Sequence, residues 1–180
     1  MTNPPEDAAL DLIKRFEGRR LTPYRDAVGI WTIGYGATYG LDRKRVRADH
    51  PPLTDQQAEE LLMRDTRRFA AAVDRLVKVP VGAYHRGALT SFAFNLGAGA
   101  LQSSTLLKRI NSMEWDDVPR QFGRWVNAGG RRLAGLVRRR RAEAELWTGG
   151  LSQQVQYRQL DLRQRDSVTS AWKSAPYSVD

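Results

Sequence analysis

The sequence predicts an α+β fold: a small β-lobe near the N-terminus, joined by a long helix to a helical bundle, with a C-terminal extension. Three observations predict it. Apolar residues recur at helical spacing at the start of the chain and again from residue 54 onward. Between these stretches, Pro23, Gly29, Gly34 and Gly36 punctuate a short run of aromatic and β-branched residues. Residues 83–96 are apolar on almost every side, the pattern of a helix in the middle of a bundle.

Residues 7–17 place Ala9, Leu12, Ile13 and Phe16 on one helix face, with Asp7 as the cap and Gly18 as the stop. Glu17 falls one turn after Ile13, at the edge of the buried stripe, where partial shielding from water favours a protonated carboxyl. Residues 22–37 read as a small antiparallel hairpin or meander with Asp26 in its turn. Strand alternation sends Ile30 and Thr32 to one side and Trp31, Ile33 and Tyr35 to the other. Residues 38–53 read as a basic, proline-containing loop with room for one more strand.

Thr54 and Gln57 make a capping box for a helix running to about Val79. Ala58, Leu61, Leu62, Phe69, Val73 and Leu76 mark its buried side. Pro80 and Gly82 break it before the apolar helix 83–96, which Gly97 and Gly99 end. Shorter helices are expected at 104–111, 116–126 and 132–147. The last buries Leu133, Leu136, Val137 and Leu146, and turns Arg138-Arg139-Arg140-Arg141 outward as a solvated face partly paired with Glu143 and Glu145. The boundaries are then 1–150 for the main domain, with its β-lobe at about 18–53, and 151–180 for a Gln-, Arg- and Ser-rich extension of unassigned role.

Composition narrows the chemistry. The chain has 180 residues, no cysteine, two histidines and a net charge of +9. That is enough length for one core without disulfides. It leaves no thiol nucleophile and no Cys-ligated metal, and too few histidines for a His-rich site. No metal or cofactor is expected. The positive charge calls for anionic partners without choosing among them. The polar N-terminus lacks the pattern of a secretory signal, and no window suits a membrane-spanning helix.

Glu17 and Asp26 are the candidates for chemistry. Two carboxyl groups in different surroundings can serve as acid and base at one pH, which cleavage of a glycosidic bond requires. Thr32 adds a hydroxyl beside them. Singly, each has a plainer reading: a surface ion pair for Glu17, a turn former for Asp26 and strand propensity for Thr32. Among the aromatic residues, Tyr35 borders the proposed cleft and is the candidate to contact a sugar. Asn95, Ser104 and Thr105 lie at helix ends, where they either hydrogen-bond a substrate or cap a helix. His85, on the apolar helix, reads as a buried histidine whose hydrogen bonds are met.

The ordered segments FEG, YRD, GIWTIGYG, LTSFAFNLGAGALQSSTLLKRIN and FGRWVNAGGRRLAGLVRRRRAEAELW resemble those of the phage-type lysozymes, the endolysins that are muramidases. The resemblance runs from about Leu10 to Trp147. It implies a lysozyme-like fold and hydrolysis of the β-1,4 bond between N-acetylmuramic acid and N-acetylglucosamine in peptidoglycan, leading to host cell lysis. It also implies Glu17 as general acid, Asp26 as the carboxylate that activates or orients water, and Thr32 as a residue that holds that water. With no signal or anchor, the chain is expected in the host cytoplasm and to reach the wall through a holin. The arginine run adds an expected electrostatic attraction to the anionic envelope. A lytic transglycosylase, a nucleic-acid-binding module and a non-catalytic wall-binding protein are the competing readings. Asp26 favours hydrolysis over the first, the lack of a recognition signature disfavours the second, and the intact trio disfavours the third.

Overall fold

The computed structural model describes residues 5–26 and 28–149; the expected extension 151–180 lies outside the described residues. Helix α1 spans Pro5–Glu17 and starts two residues before the expected cap. It buries Ala9 and Ile13. Gly18, with φ +67°, then takes the left-handed conformation that ends many helices and turns the chain into the β-lobe.

Strands β1 (Arg20–Arg25) and β2 (Trp31–Gly34) pair antiparallel, with Tyr24 opposite Thr32 and Arg25 opposite Trp31. A register shift between Arg20 and Tyr24 absorbs Pro23, which cannot donate to the ladder. The loop that follows holds single bridges, Ile33 with Ala37 and Tyr39 with Arg45, in place of the additional strand allowed for it. The Leu53 amide donates to the Leu21 carbonyl at 2.8 Å and closes the lobe. Its core is Ile13, Ile33, Tyr35, Ala37, Val46 and Leu53, with Ala58, Leu61 and Leu62 contributed by the next helix.

That helix, α2 (Asp55–Leu76), carries the expected capping box. The Gln57 amide donates to Thr54 Oγ1 and the Thr54 amide to Gln57 Oε1. Its first half packs into the β-lobe, and Val73 in its second half belongs to the bundle core. One helix therefore spans both cores. Asn111 fixes its far end, accepting from the Lys78 amide at 2.8 Å and donating to the Leu76 carbonyl at 3.1 Å.

Helix α3 (Ala83–Leu96) runs through the bundle and packs against α1, α2 and the last helix, as its all-round apolar surface requires. Gly97 (φ +88°) ends it, but helix resumes at once as α4 (Ala98–Ser103), which the glycines had concealed. Then come α5 (Thr105–Asn111), a single 3-10 turn at Trp115–Asp117, and α6 (Val118–Phe122). The helix expected at 116–126 is shorter because Gly123 stops it. A two-residue hairpin follows, β3 (Asn127–Ala128) with β4 (Arg131–Arg132), turned by Gly129 and Gly130 at positive φ. The last element among the described residues is α7 (Ala134–Gly149).

The burial of α7 reverses the sequence expectation. Leu133, just before it, is exposed, and Leu136, Val137 and Leu146 are half-buried. The fully covered positions are Arg139, Arg140, Glu143 and Trp147. These four form one helical stripe, so the face turned inward is charged along most of its length.

His85 closes the bundle core from α3. Its Nδ1 accepts the Gly82 amide, and its ring lies 4.3 Å from Trp147 and stacks on Trp115 at 6.3 Å. Burial pushes its pKa down from 6.5 to about 4. The unfolded chain therefore takes up a proton below pH 6.5 that the folded ring refuses until about pH 4. Stability contributed by the neutral ring is present above the upper value and lost as pH falls through this window, by about 3 kcal/mol at most. Replacing His85 with Gln is expected to flatten the fall of urea-denaturation stability across that window relative to the parent chain. An identical slope in the two proteins would contradict it.

Candidate active site

Glu17 is placed by the end of α1. The helix presents it at the rim of the bundle, and the chain turns away at Gly18. Its carboxyl is held by Arg139 of α7, whose Nη1 donates to Glu17 Oε1 at 2.5 Å. A Cβ built on Gly36 would meet Glu17 Oε2 at 3.8 Å, so the segment after β2 passes beside the carboxyl. Gly36 has φ +97°, which L side chains rarely adopt. The arginine on Glu17 is thus not one of the sequence neighbours Arg15, Arg19 and Arg20. Arg19 pairs with Asp55 and Arg20 lies over the Tyr24 ring.

Behind Glu17 is a buried polar network. Arg139 Nε donates to Glu143 Oε1 at 3.3 Å, and Arg139 Nη2 to the Ser91 carbonyl at 3.2 Å. Ser91 Oγ donates to Glu143 Oε1 at 2.8 Å. Arg140 Nη2 donates to Glu143 Oε1 at 2.9 Å and to Asn95 Oδ1 at 3.0 Å. Arg139, Arg140, Glu143 and Ser91 are all 3 % exposed or less. Burial pushes the Glu143 carboxyl up to about 7, opposed by Arg140 and then Arg139. Burial likewise lowers Arg140 to about 10, opposed by Glu143.

Asp26 sits at the end of β1. Its Oδ1 accepts the amides of Val28 at 3.0 Å and Ile30 at 2.8 Å, while its own amide donates to the Ile30 carbonyl. These bonds fix the carboxylate without any side-chain cation, and Oδ2 takes neither of them. Gly29, at φ +83°, allows the tight turn. Thr32, opposite Tyr24 in the strand pair, is 3 % exposed and donates to the Ile30 carbonyl at 3.0 Å. Tyr24 stands within electrostatic reach of both carboxylates: burial raises its phenol pKa, Arg20 lowers it, and Glu17 and Asp26 raise it further.

A groove of about 500 Å³ opens beside Glu17. Phe16, Asn95, Leu133, Leu136 and Arg139 line it with the carboxyl. Asp26 and Thr32 are not part of this wall; they stand on the hairpin side. Asn95 lines the groove, with its side-chain oxygen already bonded to Arg140. Tyr35 does not border it. Its ring is 8 % exposed in the β-lobe core, and its hydroxyl donates to Glu59 Oε1 at 2.7 Å. Ser104 is the cap of α5: it is 2 % exposed, accepts the Leu107 amide and donates to the Leu101 carbonyl. Thr105 is exposed as the first residue of α5, away from the groove wall. For these three, strand alternation and helix-end position gave no information about distance from Glu17.

Sequence reasoning missed Arg139, Glu143 and Tyr24. The first two carried a signal, because they share a helical phase with Trp147. A four-arginine run hid it by suggesting solvent.

The phage lysozyme family model matches residues 14–143. An endolysin of Bacillus phage B103 is 40% identical over 152 residues, covering 82% of this chain and 55% of that protein, so the chain spans about half the length of that relative. An endolysin of Acyrthosiphon pisum secondary endosymbiont phage 1 is 37% identical over 78% of this chain and 95% of its own. The solved structure of an endolysin from Escherichia coli O157:H7 phage FAHEc1 superimposes with a TM-score of 0.70 at 38% identity, covering 78% of this chain and 90% of that one.

Removing one member of a buried ion network leaves the rest uncompensated. Arg139→Leu strips Glu143 of one cation and Glu17 of its partner. It is expected to cost about 3 kcal/mol or more in denaturant unfolding. A cost below about 1 kcal/mol would mean that the guanidinium is replaceable there.

Proposed function

The chain belongs to the phage lysozyme family and is a glycoside hydrolase of the lysozyme type, and we propose that Glu17 and Asp26 divide its chemistry between them. In this reading the substrate is bacterial peptidoglycan, and the bond cut joins N-acetylmuramic acid to N-acetylglucosamine. The carrying observation is the contrast in how the two carboxyls are held. Glu17 is held by a side chain at the rim of a groove, whereas Asp26 is pinned by backbone amides in the β1–β2 turn.

The leaving sugar oxygen departs readily only when protonated, so Glu17 acts as the proton donor. Asp26 stays charged and directs water, or stabilises positive charge growing on the sugar ring. Thr32 lies within the same strand pair and its hydroxyl oxygen can accept from that water. Phe16, Leu133 and Leu136 offer apolar surface to a sugar face, and Asn95 an amide to its polar edge.

The reading extends to partners. An excess of basic charge favours association with an anionic envelope, but the arginine run contributes less than its composition implies. Arg139 and Arg140 are buried, and Arg141 pairs with Glu145. Among the described residues no helix is long and apolar enough to cross a membrane. Passage from the host cytoplasm to the wall through a holin-type pore fits an enzyme of this kind.

Glu17→Gln is expected to lower turnover of purified peptidoglycan at least about a hundredfold while the fold is kept. Asp26→Asn should do nearly the same, since its amide oxygen can still accept the two turn bonds. Turbidity and mass spectrometry of the fragments read both: hydrolysis gives reducing ends, and anhydro-muramic ends would point to a transglycosylase instead. Near-normal activity in Glu17→Gln would reject the assignment.

A further inference from the structure

We infer that Glu143 is a positioning residue of this site: it competes with Glu17 for the Arg139 guanidinium, and when ionised it lets Glu17 hold the proton that bond cleavage needs. The inference rests on Glu17 being the acid. Its basis is that one guanidinium bridges two carboxyls, with Nη1 on Glu17 Oε1 at 2.5 Å and Nε on Glu143 Oε1 at 3.3 Å.

The charge balance of this cluster sets the consequence. Glu17, Glu143, Arg139 and Arg140 together are neutral when all are ionised. Put the proton on Glu17 with Glu143 charged, and one positive charge is in excess. Put it on Glu17 with Glu143 also neutral, and two guanidiniums face each other in a buried setting with no anion between them. That second state is disfavoured, because like charges out of water repel strongly. A proton on Glu143 therefore opposes a proton on Glu17.

Other groups facing the cluster leave this coupling in place. Helix α3 contributes Ser91 and Asn95, which are neutral. Strand β1 contributes Tyr24 with Arg20 over its ring, and Asp26 lies beyond. Arg15 and Arg138 reach the groove from its exposed side, where water screens them. Burial raises Glu143 itself to about 7, against the pull of Arg140 and Arg139. A merely structural glutamate would neutralise Arg140 and Arg139 without altering the pH dependence of the reaction.

The experiment is the pH profile of kcat and KM for the full chain on soluble peptidoglycan fragments, with Glu143→Gln beside the parent. Arg139, freed of Glu143, should hold Glu17 ionised more strongly. The alkaline limb of kcat is expected to move to lower pH by about one unit, with kcat near neutrality about tenfold lower and KM unchanged. Glu143→Asp, which keeps the charge, should restore the limb. An unmoved alkaline limb in folded Glu143→Gln overturns the inference.

If Glu143→Gln does not fold, reciprocity supplies the test, since coupling acts equally in both directions. In Glu17→Gln, carbon-13 carboxyl shifts should show Glu143 titrating at lower pH than in the parent, because Arg139 is then left to Glu143 alone. No movement overturns the inference. An active Glu17→Gln instead sinks the acid assignment itself, so the two failures are distinguishable.

Discussion

Arg139 touches three helices at once. Its guanidinium pairs with Glu17 at the end of α1, with Glu143 one turn along its own helix, and with the Ser91 carbonyl on α3. A planar fork with five donors can satisfy acceptors in three directions, which a lysine ammonium could not do at fixed geometry. The arrangement is costly in desolvation, and it is tolerated because Glu143 offsets one guanidinium and Ser91 supplies the remaining acceptor and donor. A carboxyl at a helix terminus would otherwise swing with the last turn. Here its position is tied to the bundle's central helix.

The two-core design decides where a polymer can lie. Helix α2 buries its first half in the β-lobe and its second half in the bundle, and it is capped at one end by Thr54 and Gln57 and tied at the other by Asn111. Helix α1 belongs to the smaller core through Ile13, yet it ends beside α3 and α7. The junction thus brings elements of both lobes to Glu17, and the groove opens there. Its apolar wall comes from Phe16 on α1 and from Leu133 and Leu136 at the start of α7. The exposure of Leu133, unexpected for a leucine in a helical stripe, is what an apolar wall open to a ligand entails.

Much of this was legible in the residue pattern. The capping box, the apolar helix 83–96, the aromatic hairpin and the family-like segments read correctly because each is local: cap, period and turn chemistry are written in neighbouring residues. Resumption of helix after Gly97 was hidden because a glycine at positive φ looks the same whether the chain stops or changes direction. Side-chain partners were the least legible. Tyr35 and Thr32 were assigned to opposite strand faces, yet both are covered, Tyr35 within the core that α2 shares with the lobe. Alternation reports facing and says nothing about what lies opposite. The reading of Arg138–Arg141 as solvated held for Arg138 and Arg141 and failed at Arg139 and Arg140, for a related reason. Charge predicts exposure only when no buried counter-charge awaits it, and Glu143 on the same helix was that counter-charge.

The contrast between Glu17 and Asp26 follows from the kinds of group that hold them. The amides of Val28 and Ile30 cannot move relative to the carboxylate without breaking the turn, so Asp26 is bound to a fixed and always available set of donors. Glu17 is bound to a side-chain cation that has a second carboxylate to turn to. On the proposed assignment, the first arrangement suits a group whose charge must not change during the reaction. The second suits a group that gives up a proton and recovers it, because Arg139 already shares its charge between two carboxylates. On that assignment, a single scaffold would separate the roles of its two carboxyls by the kind of group that holds each as much as by their burial.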